Sequence, residues 1–146
     1  MKISLGCDHG AFALKEHIKS YLTAQGHEVV DCGTYSTDSC DYPAFAKAAA
    51  ERVASGECER GIVMCTTGIG VSMAANKVHG VRCALCRDLL SAQLTRQHNN
   101  ANMLALAGGF IGSFEAEHIV DTFLTTEFEG GRHERRVNLV MDIEKG

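Results

Sequence analysis

The stretch GIVMCTTGIGVSMAAN, residues 61–76, decides how the rest of the chain is read. Ile62-Val63-Met64 is an apolar run too brief for a helix, and it reads as a buried strand. Cys65-Thr66-Thr67-Gly68-Ile69-Gly70 follows at once, and Val71 to Asn76 has the small, apolar composition of a helix start. In the order strand, tight loop, helix, the glycines let successive N–H groups converge and the helix end adds partial positive charge. The loop is therefore a candidate anion cradle. Cys65 stands at its mouth. A free cysteine titrates near ~8.5, and a helix N-terminus favours its thiolate, which makes Cys65 a candidate base or nucleophile. The competing reading of the same residues is an inert buried cysteine at a strand end.

Upstream, Lys2 to Cys7 reads as a first strand, broken by Asp8-His9-Gly10 before a helix that begins near Ala11 and stops at Gly26. Glu28 to Asp31 reads as a second strand. A polar loop then ends in Asp41-Tyr42-Pro43, and Pro43 suits the first turn of a helix running to about Ser55. Downstream, Val81 to Cys86 is expected as the fourth strand, Leu89 to about His98 as a helix and Met103 to Leu106 as the fifth strand. A helix follows over Ser113 to Leu124, with Ser113 as its expected cap. After Gly130-Gly131, a last helix over about 132–145 is placed to fold back or to reach a second subunit. Regular alternation of apolar strands with helices implies right-handed βαβ units and an open parallel α/β sheet of about five strands with helices on both faces. In such sheets ligands bind beyond the carboxyl ends of the strands, which is expected to bring Asp8-His9, the Cys65 loop and Asn99 near one rim.

With 146 residues the chain is expected to be a single domain over 1–146. A formal charge of −4 gives no basic field and argues against nucleic acid or an anionic membrane as the main partner. The N-terminal apolar run is too short for a signal peptide and no stretch approaches a membrane span, so a cytoplasmic protein is expected. Seven cysteines without a compact framework read as reduced thiols. Cys83 and Cys86 form a C-x-x-C, but three residues apart on a strand they point to opposite faces and no second ligand pair exists, so no metal is expected there.

Arg132 and Arg136, four apart, share one helix face and either clamp a phosphate or form a solvated basic turn. Asp8-His9 at a strand's carboxyl end is placed to orient hydroxyls and bind an anion, or to cap the next helix. His98 is either a proton donor or a residue complementing its helix dipole. A dinucleotide fingerprint would need a glycine where Met73 stands, and a phosphatase loop an arginine where Val71 stands.

GCDHG at the first strand, DYP, CTTGIG followed by AANK, SAQLTRQHNNAN and EGGRHERRV, in order along nearly the whole chain, closely resemble the ribose-5-phosphate isomerase B family. Galactose-6-phosphate and allose-6-phosphate isomerases are similar relatives. The resemblance implies a Rossmann-like fold and a cofactor-free, metal-free aldose–ketose isomerisation of a sugar phosphate through a cis-enediolate. It also implies a homodimer, or a dimer of dimers, with sites between subunits. On matching positions it makes Cys65 the base, His98 the ring-opening acid and Thr67 a proton relay. Thr66, Gly68, Ile69 and Gly70 would surround the enediolate oxygen, with Asp8 and Tyr42 at the hydroxyls and Asn99 at the reacting end. His9, Arg132 and Arg136 would hold the phosphate. Two positions depart from the family pattern. Thr66 replaces the usual glycine, and Gly108-Gly109-Phe110 stands where a Gly-small-Arg pattern is common, so a six-carbon sugar phosphate is the alternative substrate. From another class, the alternative is a non-catalytic sugar-phosphate sensor, against which the retained Cys65 and His98 speak.

Overall fold

Apolar runs broken by glycine and polar turns become strands, and the 3.6-residue patterns between them become helices. The computed structural model covers residues 1–146. Its elements are β1 (Lys2–Cys7), α1 (Phe12–Ala24), β2 (Glu28–Asp31), α2 (Tyr42–Ala54), β3 (Arg60–Cys65), α3 (Ile69–Asn76), β4 (Cys83–Leu85), α4 (Leu89–Asn99), β5 (Met103–Ala107), α5 (Ser113–Thr125) and α6 (Arg132–Asp142). The five strands form one parallel sheet in the order β2-β1-β3-β5-β4. No helix is long and apolar enough to cross a membrane.

Strand alternation divides the core in two. Ile62, Met64, Leu104 and Leu106 point to the face covered by α1, α4 and α5, where Ile18, Leu22, Ile119 and Phe123 meet them. Val63, Cys65, Met103 and Ala105 point to the other face, against Ala46, Ala49 and Ala50 of α2 and Val71 and Ala75 of α3. Each fully buried Leu or Ile contributes about 2 kcal/mol by leaving water. The chain passes from β1 toward one edge and from β3 toward the other, so α1 and α3 leave neighbouring strands for opposite faces. Their diverging loops open a crevice between the ends of β1 and β3.

Four expectations change in detail. The fourth strand is only Cys83–Leu85, because the Arg82 N–H donates to Asn102 Oδ1 (2.8 Å) instead of a ladder carbonyl. Gly112, not Ser113, is the N-cap of α5, and no side chain caps that end. The last helix is α-helical to Asp142 and tightens into a 3₁₀ turn over Ile143–Lys145. Tyr42 already belongs to α2, with Pro43 in its first turn. Cys86 packs in the α1/α4/α5 core and Cys83 against the other, so the two thiols do lie on opposite faces.

Candidate active site

The crevice between β1 and β3 is a cleft of about 440 Å³ lined by Asp8, Tyr42, Cys65, Thr66, Thr67, Ile69, Gly70 and Met73. Cys65 ends β3 and is 5% exposed. Its Sγ accepts the Gly68 N–H at 3.2 Å, and Thr67 Oγ1 lies 3.9 Å away while accepting the Ile69 N–H at 3.1 Å. Gly68 caps α3 with φ +73°, and a Cβ there would stand 2.5 Å from Leu85 Cδ1. Only glycine adopts that turn in that space, so the residue that aims an N–H at the sulfur has no substitute. Asp8 caps the short turn at His9–Ala11 by accepting the Gly10 N–H (3.0 Å), and the Tyr42 ring lies against Gly70. His9, next along, accepts the Cys40 N–H on Nδ1 at 3.2 Å.

The remaining core thiols are poor bases. Burial pushes Cys7 up to about 11 and also raises Cys32, Cys58, Cys83 and Cys86, so all five are neutral near pH 7.

A second cleft of about 600 Å³ holds His98, Asn99 and Arg136 together with Val81, just before β4, and Val137, Val140 and Met141 of α6. It shares no residue with the first. The expectation that Asn99 stands on the Cys65 rim is therefore corrected. Helix α4 runs back against the strand direction, so its C-terminal residues His98 and Asn99 arrive at the amino-terminal edge of the sheet. Arg132, in the first turn of α6, precedes Arg136 by one turn on the same helix. Asp8, His9, Tyr42, Cys65 and Thr66 to Gly70 thus gather at one end of the chain's sheet, and His98, Asn99, Arg132 and Arg136 at the other.

Several residues that no sequence pattern singled out shape the second cleft. Asn100 closes α4 in the left-handed region, with φ 46° and ψ 43°. The Arg82 guanidinium donates to the carbonyls of Asn99 (3.2 Å) and Asn100 (2.8 and 3.0 Å). Arg96, 3% exposed, donates to Asn100 Oδ1 (2.9 Å), the Ala101 carbonyl (2.6 Å) and the Thr126 carbonyl (3.2 Å). Burial lowers this guanidinium to about 10, with repulsion from Arg60 and Arg82 adding to the shift, and it stays charged at pH 7. His133, which is buried and falls between Arg132 and Arg136 in the sequence of α6, stacks on His98 with ring centroids 4.2 Å apart. Nitrogen and oxygen atoms of His98, Glu129 and His133 lie within 4.8 Å of one another. A metal ion must lie in the plane of each imidazole it binds, and rings stacked 9° from parallel do not offer a shared point without one of them turning.

A parallel α/β sheet whose switch-point crevice holds a thiol, a carboxylate, a phenol and loop N–H donors defines a protein suited to proton transfer on a small polar ligand. The chain belongs to the Ribose/Galactose Isomerase family, whose model matches residues 3–140. It is 46% identical to ribose-5-phosphate isomerase B of Escherichia coli (strain K12), over 99% of this chain and 97% of that one. The solved structure of Clostridium thermocellum ribose-5-phosphate isomerase B superposes with a TM-score of 0.98 at 51% identity, covering 99% of this chain and 98% of that one. The Mycoplasma genitalium enzyme with bound ribulose-5-phosphate gives a TM-score of 0.95 at 43% identity, covering 99% of this chain and 96% of that one.

Proposed function

We propose that this chain is a cytoplasmic aldose–ketose isomerase that interconverts ribose 5-phosphate and ribulose 5-phosphate, with Cys65 as its base. The observation that carries the reading is the Gly68 N–H held on Cys65 Sγ at 3.2 Å in the wall of the switch-point cleft. A donor fixed on the sulfur orients it in the cleft wall and leaves its remaining lone pairs for a substrate proton. Relatives named for the reaction, similar over nearly their whole length, support the same activity. Seven free cysteines suit a reducing compartment.

In the forward direction the Cys65 thiolate takes the proton from C2. The C2–H electron pair forms the C1–C2 double bond of a cis-enediolate, and negative charge moves to O1. Backbone N–H groups of the loop from Thr66 to Gly70 other than those of Gly68 and Ile69, which are held by Cys65 Sγ and Thr67 Oγ1, meet that oxygen, a role worth about 3 kcal/mol per donor in comparable oxyanion holes. The Cys65 thiol returns its proton to C1, and the O2 proton passes to O1 with Thr67 Oγ1 as relay. The C2 hydroxyl has become a carbonyl and the C1 aldehyde a hydroxyl, with no net gain or loss. Asp8 and Tyr42 orient hydroxyls.

Ring opening by His98 and phosphate capture by Arg132, Arg136 and His9 then require a second copy, because His98 and Arg136 lie in the other cleft of their own chain. Apolar complementarity supports a homodimer. Ile69 and Met73 of α3 project from the Cys65 cleft, 47% and 63% exposed, and the His98 cleft presents Val81, Val137, Val140 and Met141. Residues 1–146 form one domain in this reading, and its last helix sits at the subunit interface.

The family description embraces galactose as well as ribose isomerases, so the preferred sugar is tested directly. Initial rates on ribose 5-phosphate, allose 6-phosphate and galactose 6-phosphate are measured with wild type and Cys65→Ala, without added metal. The reading requires ribose 5-phosphate to turn over fastest and Cys65→Ala to lose at least about 10³-fold in kcat while still binding sugar phosphate. Faster turnover of a six-carbon substrate would reassign the substrate, and no turnover on any of them would leave a sugar-phosphate sensor.

A further inference from the structure

Thr66 fits its place only because two residues facing it have no side chain. A Cβ on Gly109 would stand 2.6 Å from Thr66 Cγ2 and 3.0 Å from the Thr66 carbonyl oxygen, and a Cβ on Gly10 would collide with Thr66 Oγ1. Gly10, Thr66 and Gly109 follow β1, β3 and β5, which are successive neighbours in the sheet. Their loops are laced together beyond the strand ends. The Gly108 N–H donates to the Cys65 carbonyl and the Gly109 N–H to the Thr66 carbonyl, each at 2.9 Å. This pins the backbone of Thr66, and a β-branched side chain on a fixed backbone between two close walls has little choice of rotamer.

Thr66 is nevertheless exposed, and it lines the same cleft as Cys65 and Asp8. Its hydroxyl makes no hydrogen bond within the protein, unlike that of Thr67, which is engaged by the Ile69 N–H. The cleft wall beside the base therefore carries a methyl held against Gly109 and a hydroxyl free to donate or accept.

Resting on the isomerase reading above, we propose that Thr66 is a specificity-determining residue. Its hydroxyl hydrogen-bonds the bound sugar phosphate, and its bulk, interlocked with Gly10 and Gly109, narrows the cleft against six-carbon chains. The two glycines are then part of the same device, since either one with a side chain would force Thr66 out of position.

Three variants separate the two roles. Thr66→Val keeps the shape and removes the hydroxyl, and is expected to raise KM for ribose 5-phosphate roughly fivefold with little change in kcat, the effect of one lost hydrogen bond. Thr66→Ser keeps the hydroxyl and is expected to hold the wild-type KM. Thr66→Gly removes both, and is expected to move the kcat/KM ratio of allose 6-phosphate to ribose 5-phosphate upward by about tenfold, a methylene-sized discrimination. The interlock is read in a double-mutant cycle: Gly109→Ala alone is expected to depress turnover, and in the Thr66→Gly background to depress it less, because the clash with Thr66 Cγ2 is gone and only the 3.0 Å contact with the residue-66 carbonyl oxygen remains. If wild type turns over ribose 5-phosphate but the Val and Gly variants keep both its KM and its substrate ratio, the proposal is overturned while the isomerase reading stands. If wild type turns over none of the sugars, both fall together.

Discussion

The imidazole of His133 lies on that of His98, their planes 9° from parallel and their centroids 4.2 Å apart. Glu129 Oε1 faces both, 3.4 Å from His133 Nε2 and 3.7 Å from His98 Nε2. Loss of water, then the neighbouring His98 and Arg132, hold His133 below the ordinary histidine range, with Arg136 adding to this and Glu129 opposing it. The fold thus favours neutral His133. As pH falls below about 6.5 the unfolded chain takes up the proton before the folded chain does, so this residue lowers stability on the acid side and is silent above that pH. Melting temperatures between pH 5 and 7.5 should show a shallower acid-side decline for His133→Asn than for wild type.

Arg96 should prove to be a structural residue of the second cleft. Its buried guanidinium serves Asn100 Oδ1 and the carbonyls of Ala101 and Thr126. Arg96→Met leaves those acceptors unpaired and is expected to cost about 3 kcal/mol in urea unfolding. Arg96→Lys should recover little of this, since an ammonium does not reproduce the fork of donors.

The loop that leads into Tyr42 is anchored by a buried ion pair. Lys15 is fully buried, and its Nζ donates to Asp31 Oδ1 (2.7 Å), Asp31 Oδ2 (2.8 Å) and the Thr34 carbonyl (2.6 Å). Burial alone would raise the Asp31 carboxyl, but hydrogen bonds from Lys15, the Gly33 N–H and Lys19 outweigh it and hold the group below the usual carboxylate range. The stability this supplies is present above about pH 4 and is lost as pH falls through the depressed folded value. Lys15→Met should destabilise by about 3 kcal/mol in urea unfolding, by leaving a buried carboxylate short of its main partner. Lys15→Met combined with Asp31→Asn should cost less than the sum of the single changes.

The sequence made the sheet legible because its signals are local. Val63 and Cys65 alternate with Ile62 and Met64, and that period alone assigns the two faces of β3. The Cys65 half of the candidate site was legible for the same reason, since a strand, a glycine loop and a helix in succession fix where the sulfur, Thr67 and Gly68 must meet. The other half was legible only as residue types. That α4 returns His98 to the opposite edge of the sheet follows from the βαβ order and not from RQHNNAN itself, and nothing in GGRHERR says that His133 from α6 will stack on it. Arg82 and Arg96 act through carbonyls of a left-handed turn at Asn100, a tertiary relation without a sequence period. Thr66 and Gly109 each stood out singly, and their contact across β3 and β5 emerges only in three dimensions.

The central claim is that Cys65 of one copy works with His98 and Arg136 of another. Its most direct test is to co-express a Cys65→Ala chain with a His98→Asn/Arg136→Ala chain, each inactive alone, and to measure the isomerase rate per milligram of the mixed product. Random pairing in a symmetric dimer restores one intact site in every mixed dimer, so the account predicts about a quarter of the wild-type rate. A mixture no more active than its two components, with dimers of both chains present, would contradict it.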